Sequence, residues 1–195
     1  MSTAHELDGE NGSYTYEDYL GWETDKRYEI IDGKAYMMSS PSVSYQAISR
    51  ELLGQFRNFL KDKSCQVFAA PLDVRLFPKD DNSDKTVVQP DLLVVCDASK
   101  LEDGKSCRGA PDMLVEILSP SNISSALFLK FHQYLAAGVR EYWIVVPETK
   151  TVQVHILEKG DGEAGHYISS VYDGVETLDV SVLPGLRIAL SPLWG

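Results

Sequence analysis

The chain is poor in cysteine, with three among 195 residues, and Cys65, Cys96 and Cys107 show no CxxC spacing. That scarcity speaks against a zinc site and a disulfide framework, and it fits a reducing cytosol. Cys65 and Cys96 lie in apolar runs and are expected as plain core residues. The four histidines, His5, His132, His155 and His166, lack metal-ligand spacing. No apolar run approaches the ~18 residues of a membrane span, so no membrane partner is expected. Basic charge is also scarce: the formal net charge is −11. A general nucleic-acid coat protein needs a basic footprint and is excluded. An enzyme that meets nucleic acid through a local basic patch and metal ions is not. Ser119 has no partner histidine at recognisable spacing, so a serine hydrolase is poorly supported. There is no internal repeat.

The opening MSTAHELDGENGSYT has neither the basic region nor the apolar core of a signal peptide. Residues 1–13 are expected to be a disordered tail, and 14–195 a single domain. Thr15 is placed to cap a short helix ending near Gly21. RYEIIDGKAYMMS reads as a hairpin, because Asp32-Gly33 suits a type I′ turn. The stretch PSVSYQAISRELLGQFRNFLKDK is the clearest helix, with Ile48, Leu52, Phe56 and Leu60 on one face and Ser42 or Ser44 as its cap. CQVFAAPLDVRLF reads as one or two strands, with Asp73 and Arg75 on a half-exposed face. VVQPDLLVVCD reads as one strand. NISSALFLKFHQYLAAGV reads as a second helix closed by Gly138. EYWIVV, with Tyr142 and Trp143, is expected in the core. The tail LDVSVLPGLRIALSPLW is apolar enough to pack down. Strands interrupted by two long helices suggest a mixed α/β sheet flanked by helices.

Two carboxylates interrupt apolar strand sequence: Asp91 in QPDLLVVCD and Glu116 in DMLVEILSP. A lone ionised carboxylate in an apolar core is costly, so each needs a partner. Alternation puts Asp91 with Leu93 and Val95, and Glu116 with Leu114 and Leu118. Neighbouring strands can therefore show both on one face, where Mg²⁺ or Mn²⁺ would find hard oxygen ligands. Lys130 lies beside the apolar stripe of the second helix and can extend its ammonium toward the sheet. Carboxylates, metal and lysine form a working set for phosphodiester hydrolysis. The plainer alternatives are a strand-starting role for Asp91 and a structural Glu116–Lys130 ion pair.

Pro90-Asp91, VEILSPS, a helix lysine, YLAAGVREYWIVVP and the early YEIIDGKAYMMSSPS together resemble the Uma family of putative restriction endonucleases, in the PD-(D/E)XK superfamily. The resemblance spans roughly Thr15 to Leu157. It implies a restriction-endonuclease-like α/β core and metal-dependent cleavage of DNA. It maps Asp91 and Glu116 onto the metal carboxylates, Lys130 onto the catalytic lysine, and Glu29 onto an early acidic residue near the metal. The standard motif's lysine position, two after the glutamate, is Leu118 here. Two positions depart from the family pattern: Tyr45 replaces a histidine, and Ala126 an aspartate. The expected protein is a Mg²⁺- or Mn²⁺-dependent cytoplasmic endonuclease acting on DNA as a homodimer. A homodimer follows because two related sites cut a duplex most simply; sheet edges and the segment SVLPGLRIALSPLW are candidate dimer surfaces. The runner-up is a nuclease-fold module without catalysis that binds nucleic acid or supports assembly. A small-ligand hydrolase using the same metal site is a third reading.

Overall fold

The computed structural model describes residues 13–119, 125–159 and 165–195, and gives no side-chain burial for residues 125 and 126. The tail expected over residues 1–13, apart from Ser13, and the Ala126 side chain lie outside that description.

The short helix α1 (Tyr16–Leu20) starts on a capping box, with the Thr15 and Asp18 side chains each bonding the other's backbone N–H. Strands β1 (Tyr28–Ile31) and β2 (Lys34–Met37) form the expected hairpin, and Asp32 and Gly33 both take positive φ, 50° and 79°. Helix α2 (Val43–Leu60) is capped by the Ser42 hydroxyl.

Strand β3 (Gln66–Ala69) is separated from β4 (Asp73–Arg75) by a cis Ala70–Pro71 bond. β4 is not half-exposed. Arg75 is 2% exposed, because Asp84, from the charged loop that follows, lies 2.8 Å from its Nε. The segment VVQPDLLVVCD is two strands rather than one: β5 (Val87–Val88) and β6 (Leu92–Val95). Pro90 supplies no ladder N–H, and the chain passes from one sheet to another across Gln89 to Asp91. After a 3₁₀ turn (Ala98–Leu101) come β7 (Ser106–Arg108), β8 (Met113–Ile117) and helix α3 (Ser125–Ala137). Gly138, φ 84°, closes α3 by donating to the Tyr134 and Leu135 carbonyls. Strands β9 (Glu141–Val146), β10 (Thr151–Glu158) and β11 (His166–Asp173) form a meander, and β12 (Thr177–Asp179) pairs with β13 (Arg187–Ala189).

The main sheet has the order β11-β10-β9-β8-β6-β3, and a second has the order β2-β1-β5-β4-β7. Both are mixed: β8–β9 and β4–β7 are parallel, and the other pairs are antiparallel. The long helices serve two cores divided by the main sheet. On one face Leu52 and Phe56 of α2 pack with Leu92, Val94, Met113, Val115 and Trp143. On the other, Tyr134 of α3 joins Leu93, Leu114 and Tyr142, together with Ile31, Val74 and Val88 of the second sheet. The strand side-chain period of two makes this division.

Two further expectations are corrected. Cys65 and Cys96 are not free core residues; they form a disulfide, leaving Cys107 as the free, buried cysteine. They sit opposite each other one step beyond the β3–β6 pair Gln66–Val95, so the strand register brings the sulfurs together although the sequence spacing gives no sign of it. The C-terminal segment packs down, as its apolar composition suggests, and so is not the free apolar surface considered for a dimer. Leu183, Leu186, Ile188, Leu190 and Leu193 complete the α2-side core, and buried Glu141 anchors the segment through the Val182 N–H at 2.9 Å. No helix among the described residues is long and apolar enough to cross a membrane.

Candidate active site

β6 and β8 run antiparallel with Leu92 opposite Val115. One further step of that register sets Asp91 opposite Glu116. Both side chains share a face with Leu93 and Leu114, the face covered by α3 and the second sheet. The sheet-to-sheet passage at Gln89–Asp91 therefore delivers Asp91 to the seam between the two layers. Asp91, Glu116, Glu29 and Lys130 are 7%, 8%, 6% and 6% exposed.

Lys130, from α3, holds the seam together. Its Nζ lies 2.8 Å from Glu116 Oε1 on β8 and 2.8 Å from Glu29 Oε1 on β1. Tyr134, one turn further along α3, donates its hydroxyl to the same Glu116 Oε1 at 2.6 Å. Glu29 Oε1 also accepts the Gln89 backbone N–H at 2.8 Å. Asp91 Oδ2 accepts the Ile117 N–H at 2.6 Å, and Oδ1 accepts the Tyr45 hydroxyl from the first turn of α2. Residues from both sheets and both long helices thus meet within one hydrogen-bonded group.

Three carboxylates share this group with one ammonium. Burial pushes the Glu116 carboxyl up to about 7; Lys130 pulls it down, and Asp91 and Glu29 repel its charge. Burial likewise raises Asp91 against the pull of the Tyr45 hydroxyl and the Ile117 amide. Burial pulls the Lys130 ammonium down, but Glu116 and Glu29 outweigh it and hold the lysine charged. Burial and the Asp91 charge raise the Tyr45 phenol, which stays a hydrogen-bond donor. The arrangement carries excess negative charge in a desolvated seam, and its donors are hard carboxylate oxygens. That donor set fits a divalent cation of the Mg²⁺ type, which keeps several waters and needs few protein ligands. Among the described residues no three acidic, histidine or cysteine side chains form a group able to hold a metal. Glu29 and Glu116 both face Lys130, and Asp91 lies one register step beyond the Leu92–Val115 pair, opposite Glu116.

All four residues singled out in the sequence converge, and the Glu116–Lys130 ion pair forms as well. Sequence reasoning missed Tyr134, although its place four residues after Lys130 was a usable signal. Tyr45, which stands where the resemblance expects a histidine, bonds directly to Asp91 through its phenol. The Gln89 backbone bond to Glu29 had no sequence signal, because it depends on the break between β5 and β6.

The family profile of Uma2, described as "Putative restriction endonuclease", matches residues 16–191. The chain belongs to the Uma2 family. A crystal structure titled as a putative nuclease belonging to DUF820 from Anabaena variabilis has the same fold, with a TM-score of 0.72 and 22% identity over 93% of this chain and 97% of that one. Among curated proteins no match is found. This Uma2 member shares its fold with that structure along nearly its whole length.

Proposed function

We propose that this chain is a metal-dependent endodeoxyribonuclease. Membership in a family described as putative restriction endonucleases, and a fold shared with a putative nuclease, support a nuclease. The observation that carries the finer reading is the placement of Asp91 opposite Glu116, with Lys130 Nζ 2.8 Å from Glu116. In this reading Asp91 and Glu116 hold Mg²⁺ or Mn²⁺, and Glu29 is the third carboxylate of the cluster, engaged by Lys130. The bound ion would lower the pKa of a coordinated water and polarise a phosphoryl oxygen. Lys130 stabilises charge that develops on the phosphate. Glu29 and Tyr134 fix that lysine and Glu116 in place, and Tyr45 with the Ile117 N–H orients Asp91.

The test is cleavage of supercoiled plasmid DNA in Mg²⁺ or Mn²⁺. The wild type should nick or linearise it, EDTA should stop the reaction, and Asp91→Asn, Glu116→Gln and Lys130→Met should each slow it by about a hundredfold or more. Undiminished cleavage in excess EDTA would overturn the mechanism.

The second reading, a nucleic-acid-binding or assembly module without catalysis, is favoured by one feature. Both Asp91 oxygens already accept protein donors. DNA binding with no cleavage in either metal would select it.

The reading includes a homodimer acting on duplex DNA. With the C-terminal segment packed into the core, the open sheet edges β11 and β3 remain as candidate surfaces. Light scattering at micromolar concentration should give twice the chain mass of 21.7 kDa. A monomer would count against it.

A further inference from the structure

An acidic chain that acts on DNA must still hold the phosphate backbone somewhere. Arg27 lies at the entrance to β1, and its carbonyl accepts the Met38 N–H, extending the β1–β2 ladder by one step. Alternation then places its side chain on the same side of the strand as Glu29. Arg27 is half-buried. Its Nε and Nη2 both donate to one atom, Gln89 Oε1, at 2.9 and 2.7 Å. Gln89 is saturated: its Nε2 donates to Asp73 at 2.8 Å and to the Tyr19 hydroxyl at 3.1 Å, and its backbone N–H donates to Glu29.

Two consequences follow from guanidinium geometry. The side edge of the fork, Nε and Nη2, is locked onto a neutral amide. The end edge, formed by one Nη1 hydrogen and the second Nη2 hydrogen, has no hydrogen-bond partner among the described residues. Gln89 bridges Arg27 to Asp73 through its side-chain amide, and among the described residues Arg27 forms no ion pair. Arg75, by contrast, pairs directly with Asp84. The side edge of Arg27 is held by a neutral amide, which fixes its orientation. Burial and the Asp91 charge push the Tyr45 phenol up and burial pushes the Asp73 carboxyl up, and the Arg27 charge works against both rises, which places it near both groups.

We infer that Arg27 binds a phosphate of the DNA strand entering the Asp91–Glu116 site, through the free end edge of a guanidinium that Gln89 has pre-oriented. Two parallel N–H donors match two phosphate oxygens, and an oriented fork loses little freedom on binding. The inference rests on the nuclease reading above and adds the group that grips its substrate.

The test uses the full chain and a fluorescein-labelled 20-base-pair duplex, followed by anisotropy in Ca²⁺ across a salt series. Arg27→Gln should weaken binding about tenfold or more and lower the salt slope by about one. Arg27→Lys should keep the salt slope but still lose affinity, because an ammonium lacks the fork. Should Arg27→Gln fail to fold by circular dichroism, Arg27→Lys and Gln89→Leu carry the test; Gln89→Leu keeps the charge and frees its orientation, and should also weaken binding. If the wild type binds DNA and these variants bind equally well, the Arg27 inference falls alone. If the wild type binds no DNA, the nuclease reading falls and takes this inference with it.

Discussion

Lys130 Nζ stands 2.8 Å from Glu29 Oε1 and 2.8 Å from Glu116 Oε1, so one side chain joins the second sheet, the main sheet and α3. Removing it leaves buried carboxylates facing one another without a counter-charge. Lys130→Met should destabilise the fold by about 3–5 kcal/mol, the usual cost of breaking a buried pair. Adding Glu116→Gln to that variant should recover part of the loss, since less uncompensated charge remains. Urea denaturation of the wild type, both single variants and the double variant measures this coupling. Additive losses would show that the lysine does not balance Glu116.

Glu116 also sets a pH dependence. Its carboxyl is raised to about 7 in the fold from an ordinary value near 4.5. The folded state therefore binds a proton more tightly than the unfolded chain between those values. The stabilising preference for the protonated form is present below about pH 4.5 and is lost as pH rises through about 7. In metal-free buffer, Glu116→Gln should raise Tm at pH 8 and change it little at pH 4.5. A Tm difference that is the same at both pH values would contradict the shift.

The Tyr45 hydroxyl bonds Asp91 Oδ1. Tyr45→Phe removes that donor while keeping the ring against the α2-side core. We expect a loss of roughly tenfold in single-turnover cleavage with a change in Tm of only a few degrees, as a misoriented carboxylate would produce. An unchanged rate would make the phenol incidental to Asp91.

The Cys65–Cys96 bond closes a segment with a sequence separation of 31. Cross-links of that kind typically contribute about 2–4 kcal/mol. Reducing agent should lower Tm, and alkylation of the unfolded, unreduced chain should label Cys107 alone. Three labelled cysteines would rule the bond out.

The parts of this structure legible in sequence are those set by local periodicity. The four-residue spacing of Ile48, Leu52, Phe56 and Leu60 gave α2, and Asp32-Gly33 gave the hairpin. The carboxylates stood out at Asp91 and Glu116 because they interrupt apolar strands, where charge has a high desolvation cost. What could not be read is set by strand pairing. The break at Gln89–Asp91 lies inside what reads as one strand, yet it divides two sheets and creates the seam. The Cys65–Cys96 bond depends on the β3–β6 register. Arg75 reads as a half-exposed strand residue until Asp84, distant along the charged loop, is placed beside it. Tyr45 and Arg27 gain their meaning only when α2 and β1 meet the main sheet.

The central claim is that Asp91 and Glu116 jointly hold a divalent cation, and calorimetric titration of Mn²⁺ into the protein tests it most directly. The wild type should bind Mn²⁺ at a site that Asp91→Asn and Glu116→Gln each abolish while both variants remain folded. Undiminished Mn²⁺ binding in the folded double variant, or none in the wild type, would contradict it.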